Sequence, residues 1–236
     1  MNWLTTRQQE AIRQLAAATP EREACGFVLA NGSVVAVPNG APDPTHQFEI
    51  SPADYAFHEA HGIRGVWHSH LELEGFSPLD QQVIAADPMP WAIYCLASGQ
   101  FVECDPGAPA PLVGRPFVYG IYDCYSLVSD MLLELGASMP PWPRGRYGEW
   151  NQPGFLPFDQ AAAQVGIPVP PGEQRRGDIV LLNLGDYSGH TDHIGVFMDH
   201  SRFLHHPAER LSRVDRFGSW WVRRLRLVVR PHALCS

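Results

Sequence analysis

Apolar positions along this chain recur at two spacings, and the changes between them mark out the elements. Ile12 and Leu15 share a helical face, Thr6 and Gln9 stand at capping-box spacing before them, and Pro20 stops the predicted helix. CGFVLANGSVVAV then reads as two strands around Asn31-Gly32, a dipeptide that accepts the positive φ angles of a two-residue hairpin. QFEI, residues 47–50, predicts a short strand. Ser51-Pro52 with Asp54 opens a helix to about His61, because a capping hydroxyl, a proline at the first helical position and an acid in the first turn all favour a helix start. GVWHSH predicts a strand, SPLDQQVIAAD a helix opened by Ser77-Pro78, and WAIYCL and QFVEC two more strands. The chain up to Cys104 is therefore mixed α and β.

DPGAPAPLVGR, from Asp105 to Arg115, has no apolar period and is rich in Pro, Gly and Ala, which marks a domain boundary. The predicted organisation is one domain over 1–106, a linker over 107–115 and a second domain over 116–236. In the second, Cys124, Leu127, Val128, Met131, Leu132 and Leu135 recur at helical spacing until Gly136, which suits a position just past a helix end. Pro140 to Gly172 reads as loop with one short helix around FDQAAAQVG. GDIVLLNL, DHIGVFM and RFLHH predict consecutive strands turning near Asp199 and His200, and WWVRRLRLVVR a closing strand pair or one long strand. The fold class is α+β in two domains.

Composition narrows the partners. With 236 residues and 45% hydrophobic content the chain can bury a core in each half, and its formal net charge of -8 provides no basic field for nucleic acid or an anionic membrane. No apolar stretch is long enough for a membrane span, and the amino terminus lacks the basic start and apolar run of a signal peptide. Five cysteines, an odd number without a C-x-x-C pair, point to free thiols made in a reducing cytosol.

Two groups of residues carry chemistry. In the second domain, Cys124 follows Asp123 at the start of the strongest helix, where unsatisfied N–H groups favour a thiolate; taken alone, it reads rather as a buried core thiol continuing the apolar stripe. His193 begins one strand and His205 ends the next, so a hairpin would set the two imidazoles roughly opposite each other, one as base and one as its orienter. Read in order, YGIYDCYSLV, RRGDIVLL and DHIGVFMDHSRFLHH resemble the NlpC-type cysteine peptidases, over roughly residues 112 to 220. That resemblance implies a papain-like domain, an N-terminal helix packed on an antiparallel sheet, with Cys124 as nucleophile, His193 as general base and His205 as the orienting third residue. It also implies cleavage of bacterial cell-wall stem peptides beside a D-γ-glutamyl residue. The chain departs from the family at Phe117, where many members carry a tyrosine that assists the oxyanion; Tyr119 and Tyr122 stand nearby.

In the first domain His68 and His70 alternate along one strand, so both rings face one side, and Asp80 follows in the first turn of the next helix. Such a set suits one zinc. Each piece alone is also an ordinary polar strand face or helix cap. With Glu23 in EREACGFVL, the set H-x-H then S-x-x-D resembles the JAMM (JAB/MPN) metalloproteases. The resemblance implies one zinc per chain on His68, His70 and Asp80, Glu23 as general base, and Ser77 helping to stabilise the oxyanion. It further implies hydrolysis of peptide or isopeptide bonds after ubiquitin-like domains. The spacer LELEGF between His70 and Ser77 is one residue shorter than is usual in that family.

The two domains in this order resemble the K-type tail assembly proteins of lambda-like phages. That implies phage tail-tip proteins as partners, a ubiquitin-like tail protein among them, and peptidoglycan stem peptides as substrate. It places the protein in the host cytoplasm during assembly and at the virion tail tip, acting on the periplasmic wall. Two rival readings remain, a tail-tip scaffold whose folds bind without cutting and a bacterial wall hydrolase outside any phage.

Overall fold

The computed structural model describes residues 3–87, 89–142, 144, 156–170, 172–185 and 190–235. The chain divides into two compact units, Met1–Ala110 and Pro111–Ser236, so the break falls within the Asp105 to Arg115 run.

In the first unit, helix α1 (Thr6–Ala17) buries Ile12 and Ala16 against Trp3, Leu4, Val28, Trp67 and Ala92. Its capping box is Thr5 with Gln8, one residue earlier than the sequence spacing suggests. The reason is tertiary: Gln8 is buried and its Nε2 donates to the Gly32 carbonyl at 3.1 Å, which fixes which glutamine turns back to the cap. Strands β1 (Cys25–Leu29) and β2 (Val34–Val37) form the expected hairpin, but its loop has three residues rather than two. Gly32 alone takes a positive φ, 87°, and its N–H bonds the Leu29 carbonyl while Leu29 N–H bonds Ser33, the turn-plus-bulge connection.

No strand forms over residues 47–50. The Asn39 side chain takes the place of a neighbouring strand there, its amide donating to the Gln47 carbonyl and its Oδ1 accepting from Glu49 N–H. Helix α2 (Pro52–Glu59) is capped by Ser51, and strand β3 (Ile63–His70) follows. Helix α3 (Pro78–Ala86) is the crossover that allows β4 (Trp91–Cys95) to run parallel to β3. β5 (Phe101–Cys104) closes a five-stranded sheet of order β2-β1-β3-β4-β5.

The second unit sets helix α4 (Cys124–Glu134) and helix α5 (Pro157–Val165) against a six-stranded antiparallel sheet. Of the predicted loop between Pro140 and Gly172, residues 143, 145–155 and 171 lie outside the described residues. The strands are β6 (Gly166–Pro168), β7 (Ile179–Leu182), β8 (His193–Phe197), β9 (Arg202–His205), β10 (Arg213–Arg216) and β11 (Leu225–Pro231), in the order β10-β9-β8-β7-β11-β6. The sheet face away from α4 buries Val180, Leu182, Phe197, Phe203 and Val228 under Phe217 and Trp221.

That cover corrects the expected strand over WWVRR. Ser219–Val222 forms a helical turn, α6, and the strand begins only at Leu225. Trp and Val favour strands locally, but the turn drives Trp221 edge-on against Phe203 and His205, at 4.9 Å from each ring. Among the described residues no helix is long and apolar enough to cross a membrane.

Candidate active sites

The first cluster begins at the amino-terminal end of α4. Asp123 is its N-cap, accepting from Ser126 N–H at 2.8 Å while Ser126 Oγ accepts from Asp123 N–H at 2.8 Å. Cys124 is therefore the first helical residue. Arg144 clamps the cap with two bonds, Nε to Asp123 Oδ2 at 2.8 Å and Nη2 to Oδ1 at 2.9 Å, its guanidinium lying over the rings of Trp142 and Tyr125. Burial works against the Asp123 carboxylate, but Arg144 and the N–H groups of Ser126 and Gly120 outweigh it and hold its pKa below the usual range.

Cys124 is half-buried and shares a small pocket, about 40 Å³, with His193, Phe117, Tyr119, Trp142 and His206. Burial, and then the Asp123 charge, push the thiol up to about 12, more than the N–H groups of Ile194 and Tyr125 and the charge of Arg144 pull it down. Burial and the neighbouring Asp123 carboxylate thus work against the thiolate that the helix position favours. Burial likewise drives His193 well below its ordinary pKa, so the resting pair is a neutral thiol and a neutral imidazole.

His193 and His205 do meet, but diagonally. His205 stands across from Gly195, and His193 pairs with Leu182 on the other side. The rings touch through His193 Nε2 and His205 Nδ1 at 3.0 Å. Glycine at 195 makes room for this lean, since a Cβ there would come within 3.1 Å of His205 Cβ and 2.8 Å of the Phe203 ring. Phe203 stacks on His205 at 4.5 Å, and His205 Nε2 reaches Asp215 Oδ2 at 3.2 Å on edge strand β10. Arg213 Nη2 holds the same oxygen at 3.0 Å. Burial lowers His205 to about 4 in spite of Asp215.

Phe117 lies edge-on to the buried His206, 5.2 Å between ring centroids. Tyr119 lines the pocket, whereas Tyr122 lies against the Arg115 guanidinium. Asp215, Arg144 and His206 escape a sequence reading. The alternation of RVDR, which sets Arg213 and Asp215 on one strand face beside His205, is the signal that leads to Asp215.

The second cluster is in the first unit. His68 and His70 point to one side of β3 with their Nε2 atoms 3.0 Å apart. Asp80 places Oδ1 3.3 Å from His68 Nε2 and Oδ2 3.4 Å from His70 Nε2, and Glu23 Oε1 lies 3.7 Å from His70 Nε2. Glu23, His68 and His70 offer ligand atoms within 4.8 Å of one another. Neighbouring ligands of a tetrahedral zinc, each about 2.0–2.1 Å from the ion, lie about 3.3 Å apart. The two imidazoles and Asp80 fit that spacing.

His70 Nδ1 is turned to the Leu73 carbonyl at 3.3 Å, which aims Nε2 inward, and Phe48 stacks on His68 at 4.3 Å. Burial raises Glu23 to about 7 and lowers His68, while the two histidines keep Asp80 ionised against its own burial. Ser77 caps α3, its Oγ accepting from Asp80 N–H at 3.2 Å while its own N–H donates to Asp80 Oδ2 at 2.7 Å. Ser77 and Asp80 thus hold each other in place at the start of α3. The adjoining cavity, about 210 Å³, is walled by Phe48, Leu79, Val83 and Trp91 beside Glu23 and Asp80.

Residues 114–230 match the NlpC/P60 family. The tail tip assembly protein K of Escherichia phage N15 is 29% identical over 239 residues, covering 94% of this chain and 93% of the relative. The tail tip assembly protein K of Escherichia phage lambda is 30% identical over 186 residues, covering 78% of this chain and 90% of the relative. A solved NlpC/P60 family protein from Bacillus cereus is 11% identical, with a TM-score of 0.39 over 92% of this chain and 66% of that one.

Proposed function

This chain belongs to the family of tail tip assembly protein K, and on that premise we propose that its second unit is a cysteine endopeptidase for peptidoglycan stem peptides and its first a zinc peptidase or isopeptidase. The observation that carries the first reading is the chain of Cys124 and His193 in one pocket and His205 bonded to His193 at 3.0 Å. As Cys124 Sγ attacks the scissile carbonyl, its proton passes to His193; the same proton then leaves with the amine, and water resolves the thioester. His205 holds the His193 ring through both steps.

In the first unit the donor spacing of His68, His70 and Asp80 supports one zinc per chain. Bound there, zinc would supply Lewis-acid activation of water and of the substrate carbonyl. Glu23, whose Oε1 lies 3.7 Å from His70 Nε2, is the carboxylate we assign to take and return a proton. Ser77 keeps Asp80 in place. We assign to this unit a peptide or isopeptide bond in a tail-tip protein with a ubiquitin-like domain, cut in the host cytoplasm during assembly. The second unit works on the periplasmic wall from the tail tip.

The test is incubation of the purified protein with peptidoglycan and mass spectrometry of the released stem peptides, with and without chelator. Cleavage beside D-γ-glutamyl residues that survives chelator and disappears in folded Cys124→Ser is expected. Intact wall with wild-type protein, or full activity in Cys124→Ser, would refute the assignment.

A further inference from the structure

We infer that Asp215 is a positioning residue that sets the direction of hydrogen bonding along His193 and His205, so that His193 meets the thiol with an unprotonated Nδ1. The inference rests on the reading of Cys124 and His193 as nucleophile and base.

The argument is one of donors and acceptors. A carboxylate only accepts, so the contact of His205 Nε2 with Asp215 Oδ2 at 3.2 Å requires the proton on His205 Nε2. His205 is neutral, since burial lowers it to about 4, and a neutral ring with Nε2–H has a bare Nδ1. That bare Nδ1 accepts from His193 Nε2–H at 3.0 Å. His193 is also neutral, which leaves its Nδ1 without a proton, on the ring that shares the pocket with Cys124. Reversing the first bond reverses every other, and His193 would then present N–H to the thiol and could not act as base.

The surroundings keep Asp215 in this role. Arg213, directly across from His205 on β10, donates to the same Oδ2 at 3.2 and 3.0 Å from Nε and Nη2, which holds that oxygen in place. Phe203, stacked at 4.5 Å, and Trp221, edge-on at 4.9 Å, pack against the His205 ring. Among the described residues, the charged or titratable groups facing the ring are His193 from β8 and Arg213 and Asp215 from β10. During the reaction the thiol proton goes to His193 Nδ1, the imidazolium keeps its Nε2–H bond to His205, and no proton moves to Asp215.

Side-chain nitrogen NMR of the full chain, labelled in histidine, reads the ring tautomers directly at pH 7. Wild-type His193 and His205 should both be neutral with the proton on Nε2. Asp215→Ala should release His205 to a mixture of tautomers and lower kcat about 10- to 100-fold with KM little changed, a part of what a general base supplies. Asp215→Asn, which can keep an oxygen toward His205, should restore the wild-type tautomers and most of the turnover; it also serves if Asp215→Ala does not fold. A proton on Nδ1 of wild-type His205, or unchanged tautomers and kcat in Asp215→Ala, would overturn the inference. Absence of hydrolysis by wild-type protein would refute the peptidase reading instead, and the tautomers would still be read.

Discussion

Alkylation by iodoacetamide probes the resting state of Cys124 directly. An ordinary thiol ionises near pH 9, so about one in a hundred is thiolate at pH 7. With the pKa pushed up to about 12 the fraction is about one in 10⁵, and only the thiolate reacts. Cys124 should therefore alkylate roughly 10³-fold more slowly at pH 7 than an ordinary thiol of equal access. The exposed Cys235 should be modified first, and the buried Cys25, Cys95 and Cys104 should lag for want of access. The assay is a time course from pH 6 to pH 9 read by peptide mass spectrometry, in which the Cys124 rate should rise about tenfold per pH unit. Modification of Cys124 ahead of Cys235 at pH 6 would mean a preformed thiolate–imidazolium pair, and the argument from burial and Asp123 would be wrong.

Further outcomes follow from the same geometry. His193→Ala should abolish peptide release, whereas His205→Ala should leave residual turnover, because losing an orienter perturbs the base without removing it; the opposite order in single-turnover rates would exchange their roles. Protein expressed with ample zinc should carry one ion per chain by elemental analysis and melt higher than chelated protein, by an amount equal to about 2.7 kcal/mol at a hundredfold excess over Kd. Asp80→Ala should remove both effects, and identical melting with and without chelator would leave no resident ion in the first unit. Gly195→Ala should destabilise the second unit by about 1–3 kcal/mol in urea titration and impair turnover, since its Cβ would meet the Leu204 carbonyl at 2.8 Å; unchanged stability and rate would show that His205 does not need that space.

Local signals were legible where one residue's own chemistry decides the backbone. Ser77 and Asp80 fall at capping spacing and do open α3, and His68 and His70 share a face because alternate strand positions must. The sequence misleads where a distant partner decides. Asn39 supplies by side chain the bonds that a strand neighbour would have given residues 47–50, and no local pattern announces this. The apolar WWV reads as strand until Phe203 and His205 are present to receive Trp221. RVDR, polar at three of four positions, carries only its alternation as a signal, and the edge strand that holds Asp215 is not among the elements the sequence predicts. The Cys124 thiol shows the same limit in electrostatics, because its place on the helix is local but the walls that desolvate it are not.

The capping box of α3 ties two kinds of order together. The Asp80 carboxylate that accepts from Ser77 N–H also stands 3.3 and 3.4 Å from the two imidazoles, so the helix end cannot fray without emptying the histidine cluster of its acid. In hydrogen-exchange terms, the amides of Ser77 and Asp80 are expected to open together with the β3 histidines rather than with the rest of the crossover helix. Anything that grips the imidazoles and the carboxylate together would then slow exchange at those two amides, some distance along the chain from the strand it grips.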